Sequence, residues 1–251
     1  MIQLRDKVAI VTGGSRGIGA AIAQALGDAG ACVVVTYSSK IALSRSVAER
    51  IAQRGGQSMV LQMSVENPRS VRQGVKTVLK HFGRIDIVVN NAGIWKRAPI
   101  GTMSEKEWNE TMDVNLKGTY LLCNAVAPIM KRQRSGKIIN IASTAGQRGE
   151  AFYSHYAASK GGVIAFTKSI AVELAPYNVL VNCVAPGWVV TDMTAHVFRD
   201  RKRRKRIEAE IPRQRVATPE DIAGPVLFLA SELSNHLVGA VINVNGGSVL
   251  S

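Results

Sequence analysis

An α/β fold, one doubly wound parallel sheet of about seven strands with helices on both faces, is predicted by three observations. Short apolar runs alternate with longer stretches of helical period from the first residues onward. The runs Val33-Val34-Val35 and Ile87-Val88-Val89 are apolar without alternation, as expected when both faces of a parallel sheet are covered. The 251 residues, 46% of them apolar, suffice for one substantial core, and no linker divides them. The whole chain, 1–251, is therefore expected to form a single domain.

Strands are predicted at 8–11, 32–37, 58–63, 85–89, 138–141, 179–184 and 240–244. Helices are predicted near 18–29, 41–54, 68–81, 105–132, 154–175, 195–209 and 219–231, giving right-handed crossovers between parallel strands.

Composition removes several classes of function. No run of about eighteen apolar residues is present, and the N-terminal MIQLRDKVAIVTGG enters a charged strand pattern directly, so a cytoplasmic protein without a membrane span is expected. Cys32, Cys123 and Cys183 lie far apart in apolar stretches, with no CxxC and no histidine at ligand spacing. They read as buried reduced thiols, and no metal is expected. The net charge of +14 points to a negatively charged ligand or partner. Much of it comes from residues 199–206, seven basic against one acidic. With no zinc-finger spacing, RNP-like strand or basic heptads, nucleic acid is not the expected partner.

The first strand runs into Thr12-Gly13-Gly14-Ser15-Arg16-Gly17-Ile18-Gly19, and an apolar helix pattern follows at once. Glycines let this turn approach a pyrophosphate closely, and the helix N-terminus offers it free amides and partial positive charge. The fold expected is thus Rossmann-type, with Gly13, Ser15, Arg16, Gly17, Ile18 and Gly19 as dinucleotide contacts. The second strand ends Thr36-Tyr37-Ser38-Ser39-Lys40, without the carboxylate that would bind an unphosphorylated ribose. Arg16, Ser38 and Ser39, with Lys40, instead suit a 2′-phosphate, so the cofactor expected is NADP(H), with Tyr37 as a further cofactor contact.

Tyr156 and Lys160 stand four apart in Tyr-Ala-Ala-Ser-Lys, on one face of a predicted helix. A phenol ordinarily near 10 is a poor proton donor and acceptor at neutral pH, and a neighbouring ammonium stabilises the phenolate. His155 points to another face and is assigned no catalytic role.

These motifs together resemble the short-chain dehydrogenase/reductase family over essentially the whole chain. Besides the glycine turn at 12–19 and the Tyr156/Lys160 pair, Asn90-Asn91-Ala92-Gly93 is similar to the family's NNAG after the fourth strand. Asn115 matches its helix asparagine, Ser143 stands thirteen residues before Tyr156, and Pro186-Gly187 follows the sixth strand. The resemblance implies that Ser143 binds the substrate oxygen, Tyr156 donates its proton, and Lys160 lowers the tyrosine pKa while binding the nicotinamide ribose. Asn115 would hold a relay water. Asn91, Ala92 and Gly93, continued by Ile94, would line the adenosine side. Pro186, Gly187, Val189 and Thr191 would meet the nicotinamide end. Where the family has an aspartate before valine after the third strand, this chain has Ser64-Val65, so the adenine contact is expected from these two residues.

Within the family the chain is most similar to 3-oxoacyl-[acyl-carrier-protein] reductases, and shares the same features with sugar, steroid and secondary-alcohol dehydrogenases. The resemblance leaves these substrates open and implies a cytoplasmic homotetramer. A non-catalytic NADP(H)-binding regulator would be expected to lack Tyr156 or Lys160. The substrate pocket should be lined by Trp95, Arg97, residues 147–153, Trp188 and a lid near 193–211. The basic run at 199–206 reads either as a solvated helix face or as a guide for an acidic acyl carrier protein.

Overall fold

The computed structural model describes residues 2–250. Seven strands form one sheet: β1 (Val8–Val11), β2 (Cys32–Tyr37), β3 (Gln57–Gln62), β4 (Ile87–Asn90), β5 (Gly136–Ile141), β6 (Val179–Pro186) and β7 (Val241–Val244). Their order is β3-β2-β1-β4-β5-β6-β7, with every neighbouring pair parallel. The chain builds outward from β1 to β3, then returns to β1's other side with β4. That reversal opens a crevice beyond the carboxyl ends of β1 and β4, where such sheets bind ligands.

Strand composition explains the two-sided burial. Successive side chains along a strand point to opposite faces, and here both faces are apolar. Ala9, Val11, Val33, Val35, Ile87, Val89 and Ile139 enter one core, while Val8, Ile10, Val34, Val88, Ile138 and Val181 enter the other. The first core is closed by α1 (Gly17–Asp28) and α10 (Pro219–Ala230) through Ile22, Leu26, Ile222, Val226 and Leu229. The second is closed by α3 (Pro68–Phe82), α5 (Gly118–Gln133) and α7 (Ser154–Leu174) through Val71, Val78, Leu122, Val126 and Leu174. The remaining helices are α2 (Ile41–Gln53), α4 (Glu105–Met112), α6 (Ala145–Arg148), α8 (Ala195–Phe198) and α9 (Arg201–Glu210).

Three segments depart from expectation. The helix predicted over 105–132 is interrupted by a wider π-helical turn at Asp113–Lys117. The helix predicted over 195–209 is two, because Asp200 adopts an extended backbone and its carboxylate accepts from the Lys202 and Arg203 amides at 2.9 and 3.2 Å, capping a new start at Arg201. The short α6 had no helical period long enough to reveal it. Cys32 is only half-buried, its thiol donating to Gln57 Oε1 at 3.0 Å, whereas Cys123 and Cys183 are buried and all three are free thiols. No helix among the described residues is long and apolar enough to cross a membrane, and no group of His, Cys, Asp or Glu among them could hold a metal ion.

Candidate active site

Beyond the carboxyl ends of β1, β4 and β5 lies a cavity of about 440 Å³. Its first wall is the glycine turn. Gly13 and Gly17 have φ of +60° and +52°, and a Cβ on Gly19 would stand 2.3 Å from the Gly13 carbonyl oxygen, so the turn closes this tightly only without side chains. Thr12, which no sequence signal singles out, fastens the turn to the segment after β4. Its Oγ1 accepts from the Asn91 and Ala92 amides at 2.9 and 3.0 Å, and Asn91 Nδ2 donates back to the Thr12 carbonyl at 2.9 Å. The helix that follows begins at Gly17 with no side-chain cap and no acidic residue in its first turn. Its amide end opens on the cavity, which Gly13, Ser15, Arg16, Gly17, Ile18 and Gly19 all line. Uncapped amides behind a turn that side chains would fill are what a pyrophosphate requires.

At the end of β2 the cavity is lined by Tyr37, Ser38, Ser39 and Lys40, and no carboxylate stands among them. This fits a ribose 2′-phosphate. Arg16 is exposed beside them and makes one ion pair, Nη1 to Asp192 Oδ2 at 3.5 Å, which links the turn to the start of the segment after β6. At the end of β3 the wall is Met63, Val65 and Glu66. Ser64 does not line it: its amide donates to Ser70 Oγ at 3.0 Å, tying this residue to α3. Analogy with the family's aspartate points to Ser64 and misses Glu66, the carboxylate that does face the cavity.

Asn91, Ala92, Gly93 and Ile94 form the floor. Asn115 is fully buried behind them, not in the cavity itself. Its Oδ1 accepts from the Ile94 amide at 2.8 Å while its Nδ2 donates to the Ile94 carbonyl at 3.0 Å and to Ser159 Oγ at 3.1 Å. The side chain therefore clamps the floor to α7, made possible by the π turn that contains it.

Ser143 at the end of β5 and Tyr156 and Lys160 on α7 line the same cavity. Tyr156 is hydrogen-bonded to Ser143. Burial pushes the phenol up to about 12, the Ser143 bond pulls it down, and the Glu150 charge pushes it up again. Lys160 Nζ donates to the Ile141 carbonyl at 2.7 Å and lies 5.9 Å from the Tyr156 ring centre. Burial lowers this ammonium to about 8. His155 is buried outside the cavity with neither ring nitrogen hydrogen-bonded, and burial lowers its pKa.

The far end of the cavity contains Pro186, Gly187, Trp188, Val189, Thr191, Met193 and Thr194. Thr194 Oγ1 donates to the Val189 carbonyl at 2.6 Å and accepts from the Thr191 amide at 3.1 Å, shaping this segment. Trp95 stacks on Tyr153 at 4.4 Å and meets Trp188 edge-on at 5.7 Å, making an aromatic wall. Arg148, Gly149 and Glu150 also line the cavity, but Gln147 does not, and Arg97 lies over Phe152 instead. Of the segment 193–211 only Met193 and Thr194 reach the cavity. The basic run does not, because Val197, Ile207 and Ile211 turn the apolar side of α8 and α9 onto Trp95, Trp188 and Phe198 and leave the charges outward.

A family model described as enoyl-(acyl carrier protein) reductase matches residues 13–249. The chain is 42% identical over 251 residues to a 3-oxoacyl-[acyl-carrier-protein] reductase of Synechocystis sp., covering all of both chains. It is 42% identical over 247 residues to such a reductase of Aquifex aeolicus, covering 98% of each. A solved structure from Beutenbergia cavernae, provisionally assigned as an NAD(P)-dependent gluconate 5-dehydrogenase and holding NADP, has TM-score 0.94 and 37% identity over 99% of both chains. The chain belongs to the short-chain dehydrogenase/reductase family of oxidoreductases.

Proposed function

We propose that this chain is an NADP(H)-dependent carbonyl reductase acting on 3-oxoacyl thioesters delivered by an acyl carrier protein. The observation that carries the reading is that Tyr156, hydrogen-bonded to Ser143, and Lys160 open into one cavity with the uncapped amides of the glycine turn. The full-length similarity to 3-oxoacyl-[acyl-carrier-protein] reductases supports the substrate. The NADP held by the Beutenbergia neighbour supports the cofactor.

The glycine turn would hold the pyrophosphate, and Arg16, Ser38 and Ser39 the 2′-phosphate. When bound, the nicotinamide supplies the hydride. Ser143 and Tyr156 grip the substrate carbonyl oxygen, and Tyr156, a neutral phenol at physiological pH, gives it a proton as negative charge develops there. Lys160 stabilises the phenolate left behind and donates to the ribose. Asn115 keeps the floor and α7 in register. A cytoplasmic homotetramer, with Met193 and Thr194 as the part of residues 193–211 that meets the substrate, completes the reading.

Trp95, Tyr153 and Trp188 favour a second reading, a dehydrogenase of flatter or bulkier alcohols and sugars, because stacked rings suit a broad substrate better than a thin acyl chain. Turnover of acetoacetyl thioesters, cyclic ketones and sugars, followed as loss of NADPH absorbance or gain from NADP⁺, decides between them. A thioester kcat/KM at least tenfold above the others supports the first reading; a preference for sugars or cyclic ketones overturns it.

A further inference from the structure

The loop between α6 and α7 puts a carboxylate on the wall of the cavity that Ser143 and Tyr156 also line. Glu150 is half-buried, lines the cavity together with Ser143 and Tyr156, and its Oε2 accepts from the Trp95 indole at 3.3 Å. That bond fixes the carboxylate against the aromatic wall, while Oε1 receives no hydrogen bond or ion pair from the described residues. Burial pushes the Glu150 carboxyl up while the Trp95 bond and the Arg148 charge pull it down; Arg148, which lines the same cavity, forms no ion pair with it and is exposed, so solvent screens it more. The Glu150 charge also reaches the Tyr156 hydroxyl, where it opposes ionisation. An acid at this point sets itself against the protein's overall charge of +14, which by itself draws anions in.

We infer that Glu150 is a specificity-determining residue that confines the substrate to carbonyl compounds uncharged beside the reacting carbon, such as 3-oxo esters and thioesters, and rejects the corresponding free 3-oxo acids. A substrate carboxylate one carbon from the carbonyl held by Ser143 and Tyr156 would share this cavity with the Glu150 carboxylate, where like charges repel more than in open water. A neutral ester or thioester avoids that repulsion, and an amide or hydroxyl farther along its chain can donate to Oε1. This inference rests on the carbonyl-reductase reading.

The test compares kcat/KM with NADPH for ethyl acetoacetate, acetoacetyl-N-acetylcysteamine and acetoacetate. The unaltered enzyme is expected to favour both neutral compounds over the acid at least tenfold. Glu150→Gln keeps an acceptor for Trp95 and removes the charge, and should shrink that ratio at least tenfold; Glu150→Asp keeps the charge and should preserve most of the discrimination. A ratio that changes less than about threefold in Glu150→Gln, with the neutral compounds still reduced, overturns the role of Glu150 and leaves the carbonyl-reductase reading standing. No reduction of any of the three by the unaltered enzyme overturns both.

Discussion

The Lys160 ammonium donates to the Ile141 carbonyl oxygen at 2.7 Å, joining α7 to the last residue of β5. It is 5% exposed, and no carboxylate pairs with it among the described residues. Burial lowers its pKa to about 8, so at neutral pH folding holds a charge where it is disfavoured. A lysine lowered in the folded state makes the unfolded chain bind more protons between about pH 8 and 10.5, so its cost is greatest below that window and fades as pH rises through it. Lys160→Met should raise stability to urea at pH 7 by roughly 1–2 kcal/mol, allowing for the lost carbonyl bond. The gain should largely vanish by about pH 10, and turnover should be lost at every pH. A variant less stable than the parent at neutral pH would show that the buried charge is compensated.

Tyr156 is expected to be the proton donor, and Tyr156→Phe to reduce kcat at least a hundredfold while leaving NADPH affinity within about twofold, since the ring is kept and only the transferable proton goes. The direction of its pKa adds a pH signature. With the phenol pushed up to about 12 by burial, reduction finds the acid already protonated and should be flat from about pH 6 to 7, then fall through about pH 8 as Lys160 loses its charge. Alcohol oxidation needs the phenolate, so its kcat/KM should rise about tenfold per pH unit below about pH 8 and level off above it, where Lys160 loses its charge. More than a tenth of parental activity in Tyr156→Phe would rule out the assignment.

The sheet is legible in the sequence because its strands are continuous apolar runs, and a chain covered on both faces has few alternatives for Val33-Val34-Val35 or Ile87-Val88-Val89. The glycine turn and the Tyr156/Lys160 pair are legible because each needs particular residue types at fixed spacing. The break at Asp200 is not, since its cap lies inside a run whose charges read as one helix. Ser64 and Glu66 are exchanged for a similar reason: strand-end rotation decides which of two near neighbours faces the cavity, and residue type alone does not report it. Thr12 and Asn115 act by gripping main-chain groups of distant segments, Ala92 and Ile94, which only the folded chain brings close. Glu150 acquires its meaning from Trp95, 55 residues away in sequence.

Arg16 is expected to select the phosphorylated cofactor, and its partner Asp192 to compete with the 2′-phosphate for it. Both side chains are more than half exposed, so the ion pair is worth at most about 1 kcal/mol, or about fivefold. Arg16→Ala should raise KM for NADPH at least tenfold with little change in kcat, as loss of uniform binding does, and should barely affect NADH. Asp192→Asn should lower KM for NADPH by up to about fivefold. Equal kcat/KM for NADPH and NADH in the unaltered enzyme would remove the phosphate contact altogether.

The basic helix α9 is built against local preference. Its first turn is Arg201 to Arg204, with no acidic residue, although cations near a helix N-terminus cost up to about 1 kcal/mol each. Arg201 and Lys205, and Lys202 and Arg206, are like-charged neighbours one turn apart, and only Arg204 finds an acid, Glu208 at 2.9 Å. Only Ile207 is buried, seated in the cluster that backs Trp95 and Trp188, so the charges face outward while the helix rests on the pocket's aromatic wall. Burial and Glu150 push the Tyr153 hydroxyl up and Arg203 pulls it down, so the charge of the run is felt at the ring stacked on Trp95. An acidic partner would relieve this crowding and be drawn to the cavity mouth. Exposed charges act over about 8 Å at physiological ionic strength, so guidance belongs to association and fades with salt. Replacing Arg203, Arg204 and Arg206 by Gln should lower kcat/KM for a carrier-bound 3-oxoacyl substrate several-fold at low salt. It should leave an uncharged ketone within about twofold and not lower Tm. Equal losses on both substrates would mean that the wall beneath α9 has shifted, and no loss on either would leave the run a solvated surface.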